Sequence, residues 1–258
     1  MSQSKVYAIA FMTIVRKEIR RFASIWVQTI VPSAITTALY FLIFGTLIGS
    51  QIADMDGYSY IQFIVPGLVL MSVLTNAYGN VVSSFYSSKF QHYVDELLIA
   101  PVPNWIILGG YVFGGTARGI TVGLVVTLVA MLFTKVQVAH PLISLLVLLL
   151  TAILFSIAGF INAILANSFD DISIVPTFVL TPLTYLGGVF YSISLLPPLW
   201  QNISLINPVL YMVNGFRYGM LGTSDIDISV ALMIVMAFII ALWGFALWLL
   251  ARGTGLKT

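Results

Sequence analysis

The chain is a succession of long apolar runs separated by short polar breaks, and this alone removes most folds from consideration. About 20 consecutive apolar residues cross the hydrocarbon layer of a bilayer as a helix. Inside that layer each backbone amide must be satisfied within its own segment or in a closed barrel, so runs of this length are helical. Six runs qualify, at residues 26–48, 60–85, 106–133, 141–166, 174–191 and 228–250. Only 8% of the residues are charged, against roughly 25% in a soluble domain. An all-α polytopic membrane protein with six transmembrane helices is therefore expected. No repeat or composition shift divides it, so residues 1–258 read as one domain. A net charge of +2 offers no surface for nucleic acid. The absence of cysteine excludes disulfides and thiolate metal sites. The N-terminal stretch has neither a long apolar core nor a clear cleavage site and reads as retained.

The segments outside the spans carry more information. Residues 7–22 form an amphipathic helix with Phe11, Ile14, Val15, Ile19 and Phe22 on one face. Lys17, Arg20 and Arg21 lie mainly on the other, with Arg16 near the boundary. Such a helix fits the cytoplasmic headgroup layer, or is the ordinary positive flank of the first span. Residues 86–103 form a second amphipathic helix, with Phe90, Tyr93, Val94, Leu97 and Leu98 at helical spacing. Lys89, His92, Asp95 and Glu96 lie mostly off that face, and Pro101 and Pro103 stop the helix. This segment either docks on a partner or interface, or simply joins two spans. In the second span, Pro66 and Gly67 provide a kink. In the third, Gly110 and Gly114 are four apart, as are Gly115, Gly119 and Gly123, a spacing that lets helices approach closely.

Residues 167–171, NSFDD, make a further polar break. Residues 193–222 stay apolar yet hold Pro197, Pro198, Asn207 and Pro208, and neither piece between these breakers can span. A re-entrant helical hairpin is expected there, or an apolar loop packed on the spans. Lys5, Arg16, Lys17, Arg20, Arg21, Lys89, Arg252 and Lys257 fall on one side, and only Lys135 and Arg217 on the other. The positive-inside rule then places both termini in the cytoplasm, with Asp54, Asp56, Asp225 and Asp227 outside.

Catalysis has little to work with. His92 and His140 fall on opposite sides, and neither HExxH nor GxSxG is present. The tail GTGLKT lacks the spacing and the Gly-Lys pair of a phosphate loop. No carboxylate lies inside an expected span, which argues against coupling to an ion gradient. Arg118 is the one cation within an expected span, either snorkelling or lining a substrate path.

The run from Pro182 to Gly222 resembles the closing signature of type-2 ABC exporter permeases. The matching residues are Leu196-Pro197, Trp200, Asn207-Pro208, Tyr211 and the segment GFRYG that contains Arg217. Asp95-Glu96-Leu97-Leu98-Ile99-Ala100-Pro101-Val102 resembles a cytoplasmic segment of the same family. The run NSFDDISIVPTFVLTPLTYLGGVFYS is similar to the YadH-like bacterial subgroup. The resemblance implies an inner-membrane permease of six spans, with an N-terminal interfacial helix and short re-entrant helices between spans five and six. It implies a homodimer around a central path and a separate ATPase that binds ATP and Mg. The stretch containing Phe90, Tyr93, Asp95, Glu96, Leu97 and Leu98 would be the coupling helix, with Asp170 and Asp171 nearby. Drugs, lipids and glycoconjugates are family substrates. The rival readings are a gradient-driven carrier, a membrane-embedded enzyme and a non-transporting assembly subunit.

Overall fold

A computed structural model describes residues 3–255 other than Ala53 and Asp56, with Thr46 and Ser50 described by their backbone alone. The expected outer carboxylate Asp56 and inner cation Lys257 lie outside the described residues. Among the described residues the regular structure is helical, apart from one antiparallel pairing of Met55 with Tyr58. The helices are α1 (Gln3–Ser24), α2 (Trp26–Tyr40), α3 (Tyr60–Phe90), α4 (Tyr93–Ile99), α5 (Asn104–Phe133) and α6 (Pro141–Leu165). They continue with α7 (Asp171–Val175), α8 (Thr181–Tyr185), α9 (Pro198–Ser204), α10 (Pro208–Leu221) and α11 (Ile228–Arg252). Five helical segments are long and apolar enough to cross a membrane: Trp26–Gly45, which takes in α2 and the start of the turns after it, and α3, α5, α6 and α11.

α3 is the axis. Its 31 residues extend roughly 46 Å at 1.5 Å per residue, well beyond the hydrocarbon thickness. It is the most buried of the long helices and packs chiefly on α6 and α5. α1 lies on α5, and α10 is wedged among α6, α11 and α3. α2 and α11 are peripheral: Val27, Ile35, Leu39, Met233, Ile240 and Trp248 face outward.

Local chemistry sets the boundaries. Proline occupies the first helical position of α6, α9 and α10, where its missing N–H costs nothing. Asn207 and Asp227 cap α10 and α11 by accepting from backbone amides. Gly222 and Gly253 end those two helices in the left-handed conformation.

Two expected spans differ from the sequence reading. The first becomes α2 followed by wide π-type turns at Phe41–Ile48. The run at 174–191 is a chain of three five-residue pieces, α7, a π turn at Pro176–Leu180, and α8. Pro176 and Pro182 remove amide donors there, which is why a regular helix does not form. The pieces reach roughly 22 Å.

Candidate functional site

The 86–103 stretch is divided rather than continuous. α3 runs on through Phe90, and His92 takes a left-handed backbone (φ 61°), a conformation His tolerates better than most residues. α4 restarts at Tyr93 in a new direction. The five apolar residues therefore do not share one surface. Val94 is buried and Leu97 and Leu98 pack against the core, whereas Phe90, Tyr93 and Ile99 point outward, Ile99 85% exposed. Asp95 and Glu96 are exposed, and His92 Nδ1 lies 3.4 Å from Asp95 Oδ2.

Lys89 is not on a solvated face. It is buried, and its Nζ donates to the carbonyls of Ile164 (2.8 Å) and Ala166 (2.6 Å) at the end of α6. This joins the end of α3 to the 167–171 turn. Phe169 of that turn packs edge-on against Tyr86 (4.9 Å between centroids) and Phe90 (5.1 Å). Asp171 accepts from the backbone amides of Asn167 (2.8 Å) and Ser168 (3.1 Å), while its own amide donates to Ser168 Oγ. The Asn167 amide is the main cause of an Asp171 pKa below the usual carboxylate range, with Lys89 a minor contributor. Asp170 is exposed beside it. One end of the molecule thus presents Phe90, Tyr93, Ile99 and Phe169 as exposed apolar groups near three exposed carboxylates.

A polar ladder runs along α3 that the sequence reading missed. Ser72, Asn76, Asn80, Ser84 and Ser88 recur every four residues on one side of the helix. Glu18 of α1 is fully buried against it, accepting from Ser84 Oγ at 2.6 Å. Arg21 Nε lies 3.7 Å from Glu18 Oε2, and its Nη2 donates to Asn80 O and Oδ1. Lys17 donates to Ser88 and Tyr111. The α5 backbone gives way here: a Cβ on Gly114 would lie 2.4 Å from Glu18 Cβ, and one on Gly110 2.6 Å from Ile14. The buried face of α1 is Ile14, Val15 and Glu18, while Ile19 is exposed. The spacing of Glu18 from Ile14 and Val15 placed it on the apolar face, but its four basic neighbours masked the signal.

Arg118 joins the same ladder, donating from Nη2 to Asn76 Oδ1 at 3.2 Å. Asn76 in turn donates to Ser33 of α2 at 3.1 Å. Above this pair, α2 and α3 part to leave an open groove of about 210 Å³ lined by Ser33, Thr36, Thr37, Tyr40, Ser72 and Thr75, among others. Thr75 and Met71 also line a second groove of about 260 Å³, against Leu180, Thr181, Thr184 and Tyr185. Phe190 packs against both Tyr40 of the first groove (5.7 Å between centroids) and Tyr185 of the second (6.0 Å). Among the described residues, no charged side chain lines either groove.

Gly115, Gly119 and Gly123 face α3, where added Cβ atoms would meet Val81, Ala77 and Val73. At the far end, Arg217 is not a surface charge. It is buried on α10, with its guanidinium 4.0 Å from the Phe63 ring and Nη2 donating to Gly188 O at 2.6 Å. Asn207 donates to Leu183 O, and Tyr211 to Leu205 O, so the turn between α9 and α10 is tied down. Pro208 opens α10, Pro197 precedes α9, and Trp200 on α9 is exposed.

Residues 9–221 match the family model described as ABC-2 type transporter. The chain is 55% identical over 253 residues to the inner membrane transport permease YadH of Escherichia coli K12, covering 98% of this chain and 99% of the relative. It is 23% identical over 203 residues to nodulation protein J of Rhizobium leguminosarum bv. viciae, covering 78% of each. Nodulation protein J of Rhizobium meliloti strain 1021 is 25% identical over 193 residues, covering 74% of this chain and 73% of the relative. With a family model spanning most of its length and a relative that matches nearly end to end, the chain belongs to the ABC-2 type transporter family.

Proposed function

We propose that this chain is the membrane-spanning permease subunit of an ATP-driven exporter in the inner membrane. In this reading it moves a substrate from the cytoplasm or inner leaflet outward, and a separate ATPase binds ATP and Mg. The observation that carries it is the end of α3, where Phe90, Tyr93, Ile99 and Phe169 stand exposed beside Asp95, Glu96 and Asp170. Exposed apolar groups rimmed by charge are what a docking face requires. The ATPase changes shape on binding ATP, and a partner that binds two permease states unequally shifts the balance between them.

The paired grooves along α3 serve as one half of the pathway, completed by a second copy of the chain. Arg118 sits behind the groove through Asn76 and sets its polarity. Six crossings follow if the α7–α8 segment crosses with Leu186 and the following residues, leaving α9 and α10 re-entrant from the outer side and both termini inside. The groove's hydroxyl lining favours a polar or amphipathic cargo over an ion.

One observation favours a second reading. The buried carboxylate of Glu18, absent from the expected spans, is the kind of group a gradient-driven carrier uses. Purification of the tagged permease with its ATPase, followed by reconstitution, separates the two. An exporter retains the ATPase and moves cargo only with ATP. Movement driven by a proton or sodium gradient without any ATPase would establish the carrier instead.

A further inference from the structure

We propose that Lys89 is a positioning residue that clamps the end of α3 to the turn after α6, so that the two segments facing the ATPase move as one body. This rests on the reading of that end as the ATPase-facing one.

The last carbonyls of any helix lack partners within the helix, and a nearby cation satisfies them. Such a cation is usually supplied from the helix's own last turn. α6 instead takes it from a different helix, 75 residues earlier in the chain for Ile164 and 77 for Ala166. An ammonium has three donors, and two are held here at 2.8 and 2.6 Å, with the Tyr86 ring 5.9 Å from the nitrogen. The position along the chain matters as much as the bonds. Immediately beyond Lys89 the helix ends, and α4 hangs from the left-handed His92. Immediately beyond Ala166 the 167–171 turn begins. The clamp therefore sits at the root of both segments, and the Tyr86–Phe90–Phe169 aromatic contacts lie beside it. The turn at Gly255 rests on the same carbonyl end, since a Cβ there would lie 2.6 Å from Ile164 O. A push on α4 or on the turn then reaches α3 and α6 together, the two most closely packed helices of the bundle.

Because the chain has no cysteine, the clamp can be tested with a nitroxide pair at Gln91→Cys and Asn167→Cys, both exposed positions. The distance distribution is recorded by electron paramagnetic resonance for the permease with its ATPase, nucleotide-free and trapped with ATP and vanadate. A rigid joint gives one narrow distribution, the same in both states, and Lys89→Arg keeps it. Lys89→Met broadens it and lets it shift with nucleotide, and ATP hydrolysis becomes less dependent on transport. A parent distribution that already moves between the two states overturns the clamp, whatever the variants do. So does a folded Lys89→Met whose distribution is unchanged. If the permease retains no ATPase, the coupling reading fails by itself, while the nucleotide-free comparison of Lys89→Met with parent still decides whether the clamp exists.

Discussion

Gly115→Ala inserts one methyl group where α5 meets α3 and α6. The new carbon would stand 2.4 Å from Ser156 Oγ, 2.5 Å from Val81 Cγ2 and 2.9 Å from the carbonyl oxygen of Ala77. The serine hydroxyl can rotate away, but the Ala77 carbonyl belongs to the α3 backbone. Restoring a 3.4 Å contact from 2.9 Å requires the two helices to part by about 0.5 Å. α3 is held on its other sides by α6 and α10, so little relaxation is available. Overpacking of this kind costs about 1–3 kcal/mol, a factor of roughly 5 to 150 in the ratio of folded to unfolded protein. Gly119→Ala meets Ala77 Cβ at 3.0 Å and Val73 O at 3.1 Å, and needs a smaller adjustment. Gly79→Ala on α3 meets nothing within 4 Å and gains about 0.4–1 kcal/mol by restricting the unfolded chain. Unfolding in mixed micelles by titration with a denaturing detergent ranks the three. The expected order is Gly79→Ala most stable, then Gly119→Ala, then Gly115→Ala. Equal stability of Gly115→Ala and Gly79→Ala would refute the packing argument.

Arg118→Ala lowers transport more than it lowers the amount of folded protein, and normal transport by Arg118→Leu would show that the charge has no part in the pathway. Glu18→Ala removes the buried carboxylate that accepts from Ser84 and faces Arg21, and costs about 1.5–3 kcal/mol by the same detergent titration; a variant as stable as the parent would mean the site readily admits water. The Asp171 carboxyl is held below the usual range, so the stability it lends the 167–171 turn is present at neutral pH and lost as pH falls through the lowered value. Asp171→Asn should therefore speed hydrogen exchange at the Asn167 and Ser168 amides at pH 7, and unchanged exchange would show that the carboxylate does not hold them.

How much was readable beforehand varies from element to element. The helices over residues 104–133, 141–165 and 228–252 follow from uninterrupted apolar runs, because lipid leaves the backbone no alternative. The break after Phe90 does not, because the apolar spacing of residues 90–98 continues straight through a left-handed His92. Hydropathy reports side chains, whereas this break lies in the backbone. Lys89 was placed off the apolar face of the 86–103 helix and Arg217 among the outer-side charges, and both are buried, one by helix-end carbonyls and one against the Phe63 ring. Their solvation by backbone and aromatic groups far away in the chain has no local signature. The ladder on α3 was written in plain view as Ser72, Asn76, Asn80, Ser84 and Ser88, a four-residue period as regular as the glycines of α5. Its partners, Lys17, Glu18, Arg21 and Arg118, become evident only once α1 and α5 are folded against it.

The claim on which the rest depends is that the end of α3 and α4 receives an ATPase. Ile99 and Tyr93 are the residues to change, since Ile99 is 85% and Tyr93 57% exposed and neither is part of the buried core. A charge at either position disturbs a docking face while leaving the fold alone. The decisive measurement is the amount of ATPase that copurifies with Tyr93→Asp and Ile99→Asp, relative to parent, at equal yields of folded permease. Loss of the ATPase from both variants is the result predicted here. Parent-like retention by both would contradict the account and move the docking surface elsewhere.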